Sequence, residues 1–561
     1  MKAFQQLLVA PAALGLMAPV AVSAAELNLN GVNQYAAESS EQVTSISQFS
    51  DVRPSDWAYQ ALSNLIERYG CVAGYPDGTF KGGQAMTRYE AAALLNACLD
   101  RVTEVTDELK RLMDEFQKEL AVLKGRVDGL EARVGELEAN QFSTTTKLQG
   151  DAVFVIGANA FGGNAKSSSK PYVRDANGVG TYTKSPTRNR TAAGATVFNY
   201  DVRLNLSTSF TSKDLLYTRL RAGNFVGSPF NGTPFNLMTL DRAFPGGSQL
   251  NNVVYIDRLY YQFPISNGFS ALVGPRARNT EFLAIKPSFY SAGILDVFTL
   301  NGAPGTYNKA TGATFGLQWK QKVKKGSPGF GISTSYVAPR GELGDPASDP
   351  STGGGLFNDN SSASWLTQIG YGGPQWSLAA AYRYGQCGQN FRRGTQFANA
   401  TQPCSVLNKA GDTISASSDT NSFALTAAWQ PLAKGWVPSI SAGWGYNNLS
   451  NSGYVAPDKK NVANNISASQ SWSVGLQWAD FFGKGNALGM AVGQPTFATS
   501  LRKGTPNDGN YAWEWWYKFQ VTDNISVTPA IFYLSRPDGQ FTPYGKTNNV
   551  FGGLIQTQFK F

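Results

Sequence analysis

Two periodicities divide this chain. Between Val102 and Asn140, apolar residues fall at Val102, Val105, Leu109, Leu112, Phe116, Leu120, Leu123, Val127, Leu130, Val134 and Leu137, with Glu, Lys and Arg between them. Steps of three and four predict a coiled-coil seam. Two successive steps of four, Leu112 to Phe116 to Leu120, predict a local unwinding of the supercoil. At ~1.5 Å per residue such a rod reaches roughly 55 Å. From about Ser143 the period becomes two. Tyr511, Trp513, Trp515, Tyr517 and Phe519 alternate with Ala512, Glu514, Trp516, Lys518 and Gln520, and Trp472, Val474, Leu476 and Trp478 alternate with Ser471, Ser473, Gly475 and Gln477. Trp436, Pro438, Ile440, Ala442, Trp444 and Tyr446 repeat the pattern. One face is apolar and the other polar or small, as in strands between lipid and a wet lumen.

A soluble β-sandwich would show the same alternation, so the connections decide. Short turns such as 431–435, 482–485 and 522–524 alternate with long Gly, Asn, Ser and Pro-rich loops such as 162–195, 276–312 and 387–420. The expected fold is mainly β: an antiparallel transmembrane β-barrel of about 16 strands, with both ends on the short-turn side. Ile555, Thr557, Phe559 and Phe561 form the apolar face of a last strand. A terminal strand of this kind resembles the signal read by the outer-membrane barrel-assembly machinery, with Phe559 and Phe561 as its aromatic residues.

Residues 49–101 carry a different pattern. Trp57, Ala58, Ala61, Leu62, Leu65 and Ile66 make a helical stripe, Gly74-Tyr75-Pro76-Asp77-Gly78 a turn, and Thr87 with Glu90 a capping box on a second helix bearing Ala91, Leu94, Leu95 and Cys98. The order Phe49-x-Asp51, Trp57-Ala58, Gly74 to Phe80 and Thr87-Arg88-Tyr89-Glu90 resembles the S-layer homology (SLH) module. The resemblance implies binding of peptidoglycan-linked polysaccharide, with Thr87, Arg88 and Glu90 in the ligand site; Tyr89 stands where the family usually has Ala. An arginine fork suits a sugar carboxylate. Cys71 and Cys98 are placed to staple this thin domain.

The N-terminus has Lys2, an apolar stretch from Leu7 to Val22 and then Ser23-Ala24-Ala25, which predicts a secretory signal peptide over 1–25. Residues 26–48 would be a linker, 102–142 the coiled coil and 143–561 the barrel. No later stretch is long and apolar enough for a membrane helix. The chain has no histidine and four cysteines, which removes Ser-His triads and His-ligated metal sites. No enzyme activity, metal or cofactor is expected, and no nucleic-acid partner. The formal charge of +9 hides a division: 12 Lys and Arg against 19 Asp and Glu up to Phe142, but 36 against 20 beyond it.

Chemistry should therefore reside in the lumen. In Phe198 to Leu204 the apolar face turns Asp201 and Arg203 inward, and Arg219, Arg221, Arg258, Arg383, Glu514 and Lys518 follow the same rule. Arginines dominate, so the lumen should attract anions. The loop 276–312 follows the fifth strand, where general porins fold a loop inward. By that analogy Arg276, Arg278, Glu281, Lys286 and Asp296 are constriction candidates. Cys387 and Cys404 lie in one long loop that their bond would clip.

Together, signal peptide, SLH module, coiled coil and barrel resemble the cyanobacterial SLH-bearing outer-membrane porins, whose barrels are grouped with OprB-type carbohydrate-selective porins and include iron-uptake porins. The resemblance implies an outer-membrane pore, surrounded by lipid, with the SLH module and rod in the periplasm. The expected function is passive diffusion of small hydrophilic solutes and inorganic ions, with tethering to peptidoglycan. A carbohydrate-selective porin is the alternative, and a structural membrane-to-wall anchor the alternative of another class. Most aromatic residues fall on the predicted lipid face, Tyr260 and Trp516 excepted, which favours ions over sugars. Gly125, Gly129 and Gly135 weaken an isolated helix, so the rod is expected to find partners in a homotrimer.

Overall fold

Strands with one apolar and one polar or small face, placed in hydrocarbon, can satisfy their backbone only by closing into a ring. In the computed structural model the chain falls into two units, Met1–Gln141 and Phe142–Phe561, and the second is that ring. The described residues are 145–165, 186–243, 250–291, 293–345, 353–358, 361–399, 405–407, 413–415, 418–433, 435–451, 466–502 and 504–561, with 45–48, 50–55, 59, 63 and 129 in the first unit. The expected coiled coil (apart from Gly129) and Cys71, Thr87, Arg88, Glu90 and Cys98 lie outside them.

The strands are β1 (Thr146–Gly162), β2 (Val197–Thr208), β3 (Leu215–Gly223), β4 (Tyr255–Ser266), β5 (Phe269–Arg278) and β6 (Thr311–Lys320). Then come β7 (Gly329–Ala338), β8 (Ser364–Gly372), β9 (Trp376–Gly385), a small hairpin of β10 (Ser405–Leu407) and β11 (Thr413–Ser415), and β12 (Ser418–Trp429). The ring is completed by β13 (Ser439–Asn451), β14 (Ile466–Ala479), β15 (Ala487–Leu501), β16 (Tyr511–Gln520), β17 (Ile525–Ser535) and β18 (Asn549–Lys560). All but the small hairpin join one closed, antiparallel barrel of sixteen strands. Among the described residues no helix is long and apolar enough to cross a membrane; the strands do so.

Closure runs through β1 and β18, paired from Asp151 with Lys560 to Gly162 with Asn549. Beyond the last strand residue, Phe561 N donates to Gly150 O at 3.0 Å and Gly150 N to Phe561 O at 2.6 Å. Both strand ends therefore sit at the end of the barrel that carries the turns 267–268, 373–375 and 521–524. The other end carries the long connections 163–196, 224–254, 279–310 and 386–417.

The outer face is apolar, with Phe154, Ile156, Phe198, Phe315, Leu317, Trp365, Leu378, Leu425, Ile531 and Ile555 exposed. The inner face departs from the expectation of polar or small residues throughout. On β1 and β15 to β18, Val153, Val155, Phe161, Ala491, Trp516, Phe532, Leu534, Val550 and Leu554 point inward. They are buried with Phe225, Phe230, Phe235, Leu237, Met238 and Leu240 of loop 224–254 and with Ile294, Leu295, Val297 and Phe298 of loop 279–310. The main hydrophobic core thus lies inside the barrel, where two loops cover one sector of wall.

Candidate functional site: a loop-narrowed lumen

A chain segment inside a barrel needs acceptors for backbone N–H groups that no longer meet bulk water. Inward polar side chains of the wall supply them for loop 279–310. Ala284 N donates to Ser333 Oγ (3.1 Å), Ile285 N to Gln368 Oε1 (3.1 Å), Phe289 N to Ser441 Oγ (2.9 Å) and Ser291 N to Gln477 Oε1 (2.8 Å). At the far wall, Glu514 accepts from Leu295 N (2.8 Å) and from the Tyr290 hydroxyl (2.7 Å), which in turn accepts from Trp516 Nε1 at 2.9 Å. Close approach is possible because Gly302, at φ +72°, lies on Gly443: a Cβ at Gly302 would strike the Gly443 backbone. The loop therefore runs along the inner wall from β5 to β16.

Opposite this seat, the wall of β1 to β4 is charged. Asp201 accepts from Arg221 (2.5 Å) and forms an ion pair with Arg203 (2.8 Å). Arg242, from loop 224–254, reaches Asp151 at 2.6 Å. Arg219 donates to Asn205 Oδ1 (2.8 Å) and the Tyr217 hydroxyl (2.6 Å), and lies 3.7 Å from Asp257. Arg258 pairs with Asp257 (2.9 Å) and Glu281 (2.7 Å). Between wall and loop stands a second group: Asp296 holds Lys309, Arg392 and Arg393, each at 2.7 Å, and Lys309 also reaches Asp241 at 3.1 Å. The named cations outnumber the named carboxylates.

Several candidates take places other than the expected ones. Arg383 is 0% exposed and Arg258 1%, so neither lines the pore. Arg383 instead pins loop 279–310 from beneath, its Nε donating to Gly305 O at 2.5 Å. Arg221 is also buried, whereas Arg203 and Arg219 keep partial exposure. Arg276 and Arg278 stand on β5 rather than in the loop; Arg276 is exposed, 5.4 Å from the Tyr255 ring centre. Glu281 is exposed beside Arg258, and Lys286 is exposed over the Phe289 ring at 5.5 Å. Asp296 is 1% exposed and is an anchor, not a lining group. Its carboxyl is held well below the usual range: burial opposes ionisation, and Arg392, Lys309 and Arg393 outweigh it. Tyr260 and Trp516, the aromatic exceptions, are buried. Cys387 is disulfide-bonded, while Cys404 lies outside the described residues. Asp241, Arg242, Lys309, Arg392 and Arg393 were not legible beforehand because they sit in loops, where no alternation assigns a face. The adjacent Arg392-Arg393 pair in a Gly- and Asn-rich loop was the one available signal.

The long connections are also tied to one another. Asp508 accepts from the Thr395 hydroxyl (2.8 Å), Ala498 N (2.7 Å) and Gln540 N (2.7 Å), joining loops 386–417, 502–510 and 536–548. Burial pushes its carboxyl up to about 7 despite these donors.

Comparison with known proteins gives two domain matches. The family described as carbohydrate-selective porin, OprB family, matches residues 104–561, and the S-layer homology domain matches residues 48–92. An uncharacterised protein of Nostoc is 37% identical over 95% of this chain and 88% of its own length. An uncharacterised protein of Synechocystis is 31% identical over 95% and 92%. Outer membrane protein SlpA of Deinococcus radiodurans is 36% identical over 17% of this chain and 8% of its own. Among solved structures, OprB of Pseudomonas putida aligns over 76% of this chain and 96% of its own, at 9% identity and a TM-score of 0.44.

Two outcomes follow from this geometry. Glu514→Ala removes the shared acceptor of Leu295 N and Tyr290 Oη, costing the loop seat roughly 3 kcal/mol; single-channel conductance should rise and become noisier. For Asp508, a folded pKa of about 7 above an unfolded value near 3.9 means that the latch is strongest below about pH 4 and weakens as pH rises towards 7. Limited proteolysis of the loops across that range should show increasing cleavage, and Asp508→Asn should flatten the dependence.

Proposed function

The chain belongs to the OprB family of carbohydrate-selective porins and carries an N-terminal S-layer homology domain, and on that premise we propose that this outer-membrane porin passes inorganic ions and small hydrophilic solutes passively, favouring anions, while its SLH module binds peptidoglycan-linked polysaccharide. The observation that carries the permeation reading is the partly exposed cationic wall of Arg203, Arg219 and Arg242, opposite a loop seated on the inner wall. Fixed cations in a narrow, low-dielectric-walled aperture raise the local anion concentration.

Sugar selectivity is the second reading. Its support is the family description and Tyr217, a partly buried ring under Arg219. Against it, Tyr260, Tyr290 and Trp516 are buried and offer no free stacking face. In the tether, Thr87, Arg88 and Glu90 are the proposed polysaccharide-binding residues. Three SLH modules joined through a trimeric coil would hold the wall with an avidity that one module lacks.

In planar bilayers under a KCl gradient, the purified full chain should give a reversal potential on the chloride side and no concentration-dependent block by maltooligosaccharides; absence of conductance would sink the porin reading. Peptidoglycan sedimentation should retain the full chain and release a variant lacking residues 49–101, and equal retention of both would end the tether idea.

A further inference from the structure

Asp296 opens a short 3-10 turn, Asp296–Leu300, in loop 279–310 on the inner wall. It is 1% exposed, yet it gathers three cations from two chain segments: Lys309 from the end of its own loop, and Arg392 and Arg393 from loop 386–417. Thr299 Oγ1 accepts from Lys309 Nζ at 2.5 Å and donates to Asp296 O at 2.6 Å, closing the group. Two of the three partners sit in a backbone conformation that side-chain-bearing residues rarely adopt, Lys309 at φ 53° and Arg392 at φ 56°. Such strain persists where surrounding contacts over-determine a position. Here both strained residues point a cation at one carboxylate. Arg392 keeps a quarter of its side chain exposed, so the group is not sealed from the lumen.

One carboxylate cannot neutralise three cations, and a second acid, Asp241, reaches Lys309 at 3.1 Å, which still leaves two carboxylates against three cations. We propose that Asp296 is a selectivity-determining and positioning residue of the pore: it docks loop 386–417 onto loop 279–310 and masks part of a cationic cluster that would otherwise face the permeating ion. This rests on the reading of the protein as an ion-conducting channel. The two roles differ in sign when the partners are removed. Loss of the carboxylate undocks the loop and uncovers positive charge. Loss of the arginines undocks the same loop and leaves the carboxylate with Lys309 only.

The test compares the full chain with Asp296→Asn, Asp296→Glu and the double variant Arg392→Gln/Arg393→Gln in planar bilayers, reading conductance and reversal potential in KCl. Asp296→Asn should raise conductance and raise the chloride-over-potassium permeability ratio about fourfold, since one unit charge roughly 10 Å from an ion in water shifts each ion about twofold and in opposite senses. The double variant should also raise conductance but lower that ratio, by about the square of that factor because two unit charges are removed, and Asp296→Glu should hold it near the unaltered value. Shifts of the same sign in Asp296→Asn and the double variant, or none, would overturn the proposal, since a merely structural anchor changes conductance without opposing changes of selectivity. If Asp296→Asn does not assemble into a heat-modifiable barrel, the double variant decides alone: an unchanged or increased ratio overturns the proposal. A silent unaltered chain would end the channel reading itself, a result distinct from any of these.

Discussion

A sheet in hydrocarbon cannot leave an edge unpaired, because each free N–H or C=O there lacks water to bond. In this chain that constraint is met at one seam, where β18 returns to β1 and the last residue, Phe561, exchanges two backbone hydrogen bonds with Gly150. The seam fixes the rest. It sets the ring of sixteen strands, puts both strand ends at the turn end, and gathers the long connections at the other end. It also fixes which residues of each strand face inward, because the side-chain period is two.

The inner wall then has to deal with chain that enters it. A loop within a barrel is as much in need of hydrogen-bond partners as a strand in lipid, and the wall provides them as Ser333, Gln368, Ser441, Gln477 and Glu514. These residues read as ordinary lumen-facing polar groups, but much of their capacity is taken by loop backbone. Where the wall is apolar, along β15 to β18 and β1, the loops bring apolar residues to it. The lumen is therefore divided by chemistry. One sector is filled by packed loop, and the sector of β1 to β4 is lined by ion pairs in which arginine predominates.

Those ion pairs are structural. A buried arginine such as Arg383 stabilises the seat of loop 279–310 by its bond to Gly305 O, and removing one partner of a buried pair is costlier than the pair is worth. Other charges keep residual exposure, Arg203, Arg219, Arg242 and Arg392 among them.

Fold class was legible in the sequence because strand periodicity and the alternation of turn and loop lengths are local properties. Tyr511 to Gln520 shows one face to lipid and one to the lumen whatever else the chain does. The inward direction of Asp201, Arg203 and Glu514 follows from the same local rule. What each inward residue meets is a matter of loop path, and contacts far apart in the chain decide it. Tyr290 and Glu514 are 224 residues apart, Asp296 and Arg392 are 96 apart, and Asn236 and Gln396 are 160 apart. Alternation assigns a face but not a neighbour, so it could not separate Arg203, which keeps contact with the lumen, from Arg383, which a returning loop covers. Only the tertiary structure brings the loops to the wall, and with them the choice between a pore-lining charge and a buried pin.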